Sequence, residues 1–283
     1  MILYKYLSAH RVDILREKEI RFTEPALFND PFESVANITS FGPDSDVLPA
    51  ILKRFEDIDE EEWERVRRED RIDLSLSEFK EYVRQNPDKA LEEFRKTEPS
   101  ALNDQSRKLY ELINNAIGVL SLSEKYDSLL MWAHYADQHR GFVLGFDSSS
   151  DFFSPIREVG DPICVLEKVK YTKNRPSIKL SQANSQDLFL HKSEEWVYEA
   201  EWRYLRYLVE ADSTRMEEGK EISLFKVPPS CFAQLILGCR MTAAAKEGFK
   251  ELLRADASLT HVGVYQTSLD RREYMLRFEK IAL

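Results

Sequence analysis

The chain predicts an α+β fold with a mixed or split antiparallel sheet, flanking helices and a helical insertion. Three observations carry this expectation. Short aliphatic and aromatic runs with strand character crowd both ends of the sequence. A charged, helix-forming stretch at about 44–117 separates them, and the remaining helices fall between strands irregularly, without the alternation that builds a parallel sheet.

In chain order, Ile2 to Leu7 reads as a strand, Val12 to Arg16 as a short helix and Glu19 to Thr23 as a second strand. Pro25 ends regular structure. Asn29, Asp30 and Pro31 then supply turn chemistry between Phe28 and Phe32, both expected to be buried. In the insertion, Leu48, Ile51, Leu52 and Phe55, and later Leu109, Leu112 and Ile113, form single apolar stripes. Pro87 and Pro99 punctuate it, and the acidic run from Asp59 to Glu62 reads as a solvated face. Strand character resumes at Gly118 to Ser123. Asp127 or Ser128 can cap a helix from Leu129 to Ala136, and Gly141 to Phe146 is a further strand. Val165 to Tyr171 is a candidate strand with Val165, Val169 and Tyr171 on one face, followed by a helix from about Ser185 to Trp196 and a strand over Trp202 to Val209. The tail offers a strand at Ala233 to Gly238, a helix from Thr242 to Arg254, and closing strands at His261 to Gln266 and Tyr274 to Phe278. The expected organisation is one domain over 1–283 that carries the insertion.

The apolar fraction of 43% suits a globular chain of 283 residues. Fifty acidic against 40 basic residues leave a net charge of −10, which disfavours a broad nucleic-acid footprint and favours a small-molecule partner. Cys164, Cys231 and Cys239 form neither a disulfide framework nor a CxxC pair, as expected of a cytoplasmic protein. The N-terminus lacks the pattern of a secretion signal, and no apolar run approaches the roughly 18 residues of a membrane span, so no membrane partner is expected.

Two short segments concentrate chemistry. Tyr198 to Arg203 packs two carboxylates, two aromatics and a guanidinium together. On a strand, Glu199, Glu201 and Arg203 would share one face and Ala200, Trp202 and Tyr204 the other; the plain alternative is an edge strand with solvated charges. Trp132 to Gly141 holds His134, Tyr135, His139 and Arg140. The five-residue histidine spacing puts the rings about 140° apart on a helix, a poor metal arrangement, so no metal site is expected. Histidine at the mouth of a cleft fits better, as does a half-buried polar group bonded to backbone. Glycine-rich nucleotide loops, HExxH and GxSxG are absent. With only nine glycines, phosphates would fall to side chains, and Lys5, Arg21, Lys192 and Arg203 are the cations near these segments.

Taken together, Leu3 to Tyr6, Phe28 to Glu33, Leu130 to Ala136 with His139, Gly141 and Phe142, then Lys192, Trp196 and Tyr198 to Arg203 resemble the bacterial family of domain of unknown function 2971. The likeness runs in order from Tyr4 to about Gly238. More distantly, an early strand with a polar residue beside an aromatic, an aromatic-flanked turn and a late strand bearing glutamate look like the layout of NAD-dependent ADP-ribosyltransferases. Lys5 stands where many of those enzymes carry histidine, and no Ser-Thr-Ser element is present.

That second resemblance implies an NAD-using, ADP-ribosyltransferase-like enzyme, in a toxin or phage-defence context, acting on a protein or nucleic-acid acceptor. Glu201, Glu199 and His134 are then the catalytic candidates, with Glu201 stabilising an oxocarbenium-like transition state. Tyr4, Lys5, Tyr6, Asn29, Asp30, Trp132, Tyr135, His139 and Arg203 are the candidates for holding the cofactor, through stacking and contacts to diphosphate. The alternatives are a nucleotide- or nucleic-acid-processing enzyme that uses His134 and His139, and a non-catalytic module that binds a ligand or partner.

Overall fold

The computed structural model describes residues 1–34, 36–154, 163–217 and 219–282. The chain runs through β1 (Ile2–Leu7), helices α1 (Asp44–Glu56), α2 (Glu60–Asp70), α3 (Leu76–Gln85) and α4 (Pro87–Ala116), and β2 (Ile117–Ser123). It continues through α5 (Leu129–Tyr135), β3 (Phe142–Asp147), β4 (Leu166–Lys168), β5 (Glu201–Tyr207), β6 (Phe232–Leu237), α6 (Ala243–Ala255), β7 (Gly263–Leu269) and β8 (Leu276–Lys280). It forms two compact units: residues 1–34, 112–175 and 189–283 in one, and 35–111 with 176–188 in the other.

The first unit is an α+β structure on a mixed eight-stranded sheet in the order β8-β7-β6-β3-β1-β2-β5-β4. All pairs are antiparallel except β6 with β7, the pair joined by the α6 crossover. β1 and β3 lie at its centre, pairing along their whole length from Ile2↔Asp147 to Leu7↔Phe142. The apolar run of β3 follows from this position, since a central strand is covered on both faces; Phe142 to Phe146 are all buried. α6 packs Phe249 on Phe142 with ring centroids 4.7 Å apart, and its N-terminus is capped by Thr242, whose Oγ1 accepts from the Ala245 N–H.

The turn from α5 into β3 is unusual. Asp137, Gln138 and His139 all have positive φ, of 46°, 53° and 69°. The Gly141 N–H then donates to the Ala136 carbonyl at 2.8 Å. A Cβ at Gly141 would sit 2.0 Å from the Leu7 carbonyl oxygen, so only glycine fits where this turn crosses the end of β1.

In the second unit Trp63, 1% exposed, stacks on Phe79 at 4.4 Å between α2 and α3, which binds those helices through their apolar stripes. Ser75 and Glu78 form a capping box at the start of α3. The Asp59–Glu61 stretch faces solvent. Asn37–Ser40 pairs in parallel with Ser177–Lys179, so a distant return of the chain completes this unit.

Several expectations need correction. The helix expected from Ser185 to Trp196 stops at Phe189; His191–Ser193 instead forms a short parallel pair with Lys170–Thr172, and Glu194–Glu199 is a 3-10 turn. Helical spacing in that stretch loses to the burial of Lys192, described below. The Val165–Tyr171 strand is split at Val169, whose N–H turns to the Glu201 carbonyl at 2.9 Å. Phe32 is 63% exposed rather than buried.

Candidate functional site

β1 and β2 pair at Tyr4↔Ser123 only, whereas each is fully paired on its other side, to β3 and β5. The two strands therefore part, and side chains from both enter the gap. Lys5 reaches across it, its Nζ donating to the Ser121 carbonyl at 3.0 Å. A cavity of about 290 Å³ occupies this opening. Tyr4, Tyr6, Phe28, Leu122 and Met131 give it apolar walls, while Lys5, Asn29, Tyr135, Lys192, Glu199 and Glu201 give it a polar side to which Glu33 also contributes. An apolar pocket with a few convergent polar groups is the usual form of a small-molecule site.

The polar side is a buried charge cluster of three carboxylates and two cations. Lys192 Nζ lies 2.8, 2.6 and 3.0 Å from carboxylate oxygens of Glu33, Glu199 and Glu201. Arg203, fully buried, donates through Nε to Glu201 Oε1 at 2.9 Å, through a second nitrogen to Glu33, and through the third to the Phe189 carbonyl. Local structure explains the convergence. Glu201 and Arg203 alternate onto one face of β5, and Ala200 takes a left-handed conformation at φ 45° that turns Glu199 back toward them. Glu33 follows the Asn-Asp-Pro turn, where Asp30 accepts from the Phe32 N–H at 2.9 Å and from Trp196 Nε1 at 2.7 Å. Lys192 comes from the short strand that replaced the expected helix.

Burial alone would push the Glu201 carboxyl up, but Arg203 and Lys192 outweigh it and hold it down at about 2. Glu33 goes the other way: burial raises it despite the same two cations, with Glu201 adding to the rise. Burial draws the Lys5 ammonium down to about 8, against the pull of Glu201 and with help from Arg11 and Arg21. Glu199 accepts from the Tyr135 hydroxyl at 2.7 Å, and that hydroxyl in turn accepts from Asn29 Nδ2 at 3.3 Å. Burial and the Glu199 contact together raise Tyr135.

Of the residues singled out in the sequence, Glu199, Glu201, Tyr4, Lys5, Tyr6, Asn29 and Tyr135 line the cavity. Five do not. His134 is exposed on α5, so no ligand in this cavity meets it. Trp132 is fully buried, with Tyr6 edge-on to its ring and its Nε1 donating to the Tyr126 carbonyl at 2.8 Å; it is core, not a stacking platform. His139 is fixed by the positive-φ turn, its ring nearly parallel to the Trp132 indole at a centroid distance of 6.0 Å. Asp30 is consumed by its own turn and by Trp196, which leaves it no contact for a cofactor, and Arg203 by Glu33, Glu201 and Phe189, which leaves it none for a diphosphate. β5 lies between β2 and β4, so the edge-strand alternative also falls. The sequence reading gives Glu33 no role and Lys192 only that of a cation available to phosphate, although both stand inside the motif order quoted above. Among the described residues no group of His, Cys, Asp and Glu has a metal-binding arrangement, and no helix is long and apolar enough to cross a membrane.

No curated protein and no solved structure matches the chain. A sequence family does. The stretch 131–204 matches the model of a family described as protein of unknown function (DUF2971). That stretch holds Tyr135, Lys192, Glu199 and Glu201 from the cavity's polar side, Met131 from its apolar wall and Arg203 behind them, and so the chain is similar to DUF2971 in the segment that builds much of its candidate site.

Proposed function

We propose that the cavity binds the nicotinamide–ribose end of NAD and that the protein is an ADP-ribosyltransferase-like enzyme. The observation that carries this reading is the meeting of aromatic walls with Glu199 and Glu201 on one small cavity. Cleavage of the nicotinamide glycosidic bond sends the bonding pair to the ring nitrogen and leaves an oxocarbenium-like ribosyl group, whose charge a fixed carboxylate stabilises. Glu201, ionised at neutral pH and immobilised by Arg203 and Lys192, suits that electrostatic role. Glu199, bonded to Tyr135, orients the ribose hydroxyls or takes the proton of an attacking acceptor hydroxyl in this reading. Tyr4 and Tyr135 offer aromatic surface for the nicotinamide. Lys5 takes over the diphosphate role that the burial of Arg203 denies to it. His134 has no part in this reading, and a toxin or defence role would depend on the acceptor.

The test is release of nicotinamide from NAD by the purified protein, with Glu199→Gln and Glu201→Gln compared at equal folded fraction. Loss of at least about a hundredfold in rate for either variant supports the proposal. If NAD gives no nicotinamide and does not raise the melting temperature at concentrations far above a micromolar affinity, the proposal fails.

A further inference from the structure

The cavity holds two lysines in opposite circumstances. Lys192 is clamped by three carboxylates. Lys5, on the central strand β1, makes one hydrogen bond, to the Ser121 carbonyl at 3.0 Å, and has no carboxylate within 4 Å among the described residues. It is only half-buried and lines the cavity beside Tyr4 and Tyr6. An amine held on a rigid strand in an aromatic cavity, without an ion pair to keep its proton, is in the setting that activates lysine for condensation with carbonyl compounds.

We infer that Lys5 captures a small aldehyde, or the open-chain form of an aldose, as a reversible imine inside this cavity. The neutral amine adds to the carbonyl carbon to give a carbinolamine, and loss of one water leaves the carbon–nitrogen double bond, with no oxidant or reductant consumed. Once protonated, the iminium carries positive charge on the side of the cavity that holds Glu33, Glu199 and Glu201. This step does not require NAD, although the ribosyl hemiacetal that hydrolysis of NAD would release opens to such an aldehyde. The lowered proton affinity of Lys5 supports the step. Facing it are Glu201 from β5, which favours the charged form, and Arg11 and Arg21, which disfavour it. Lys192, Glu33, Glu199, Tyr135 and, on the strand of Lys5 itself, Tyr4 and Tyr6 complete the charged and titratable surroundings of the cavity.

The probes are glyceraldehyde and ribose 5-phosphate with the full chain at pH 7, trapped by cyanoborohydride and mapped by peptide mass spectrometry. Lys5 should be labelled at least about tenfold faster than the exposed lysines of the same molecule, since a group titrating near 8 carries far more free amine than one near 10.4. Its labelling should rise to half-maximum near pH 8. Lys5→Arg, which keeps the charge, should remove this fast phase and leave the slow surface phase unchanged. Labelling of Lys5 no faster than that of the exposed lysines overturns the inference, as does a half-maximum near pH 10. Nicotinamide release by the unlabelled protein is a separate measurement, so failure here and failure of the NAD reading are distinguishable.

Discussion

Replacing Lys192 with methionine removes one charge and little volume, and tests whether the carboxylates of the cavity depend on that single ammonium. The three ion-pair distances are 2.8, 2.6 and 3.0 Å, and the side chains concerned are 4–5% exposed. Without Lys192, three buried carboxylates are left with one cation, Arg203, which bonds Glu33 and Glu201 but not Glu199. Removing one partner of a buried pair costs about 3–5 kcal/mol, because the remaining charge is left without water or counter-ion. At roughly 2–4 °C per kcal/mol for a chain of this size, the melting temperature at pH 7 should fall by about 10 °C. The sign with pH follows from the same charges. In the variant Glu33 and Glu201 lose the ammonium that lowers their carboxyls, so their neutral forms fit the fold better, and the deficit should shrink as the pH falls through 5. Adding Glu33→Gln should recover part of the loss, with a coupling of at least about 1 kcal/mol. Circular-dichroism melts of the four proteins at pH 7 and pH 5 measure all of this. A Lys192→Met protein within about 1 kcal/mol of wild type at pH 7, or a deficit that persists unchanged on acidification, would refute the reasoning.

Glu201, held at about 2 when folded, against about 4.3 for an unperturbed glutamate, contributes on the order of 3 kcal/mol that is present above pH 4.3 and lost as the pH falls toward 2. Glu201→Gln should therefore flatten the acid limb of the stability curve, and a limb as steep as wild type would count against the assignment. Gly141→Ala forces a Cβ against the carbonyl oxygens of Leu7 and Ala136, at 2.0 and 2.9 Å, and backbone atoms cannot rotate away. It should cost more than about 3 kcal/mol or give insoluble protein, and a melt within 2 °C of wild type would show that the turn is looser than described. Trp63→Ala should cost about 3–5 kcal/mol in the second unit and lower amide-exchange protection in α2 and α3, where unchanged protection would refute the packing role given to the Trp63–Phe79 stack.

Much of this architecture can be read locally. β1, β2, β3 and β6 begin or end within a residue of the segments read from the sequence, because apolar and β-branched runs bounded by turns encode them directly. Where the reading failed, a distant partner made the decision. Ser185 to Trp196 has helical spacing, yet the stretch around Lys192 extends because its backbone pairs with Lys170–Thr172 and its ammonium is drawn to three carboxylates, one of which, Glu33, lies far away in the sequence. Glu33 escapes the sequence for the same reason: beside Phe32 it looks like an ordinary turn acid, and its pairing with Lys192 and, across 170 residues, with Arg203 gives it a role. Trp132 and His139 erred in the opposite direction. A dense aromatic–histidine segment suggests a ligand platform, but three consecutive positive-φ residues and a glycine that nothing else can replace turn it into the corner where α5 enters β3.

The acidic-aromatic hexapeptide therefore serves two purposes that its compactness conceals. Arg203 is entirely inside and each of its three nitrogens donates within the cluster; it acts by keeping Glu201 ionised and Glu33 in place, and cannot itself meet a ligand. Glu201 and Glu199 lie between that buried anchor and the open cavity, and Lys192 ties them together. A buried ion cluster of this kind is weak evidence for stability, since apolar residues of similar volume often do as well. Its position beside an aromatic-walled cavity, in the gap where β1 leaves β2, gives it a second use: charge fixed in a low-dielectric wall acts on a bound molecule far more strongly than charge in water. Glutamine at Glu199 then separates the two purposes, because Glu199 lies outside the Arg203 bonds. Activity lost there with little change in melting temperature would mark the carboxylate as chemistry, and a loss of stability as large as that of Lys192→Met would mark the whole cluster as scaffold.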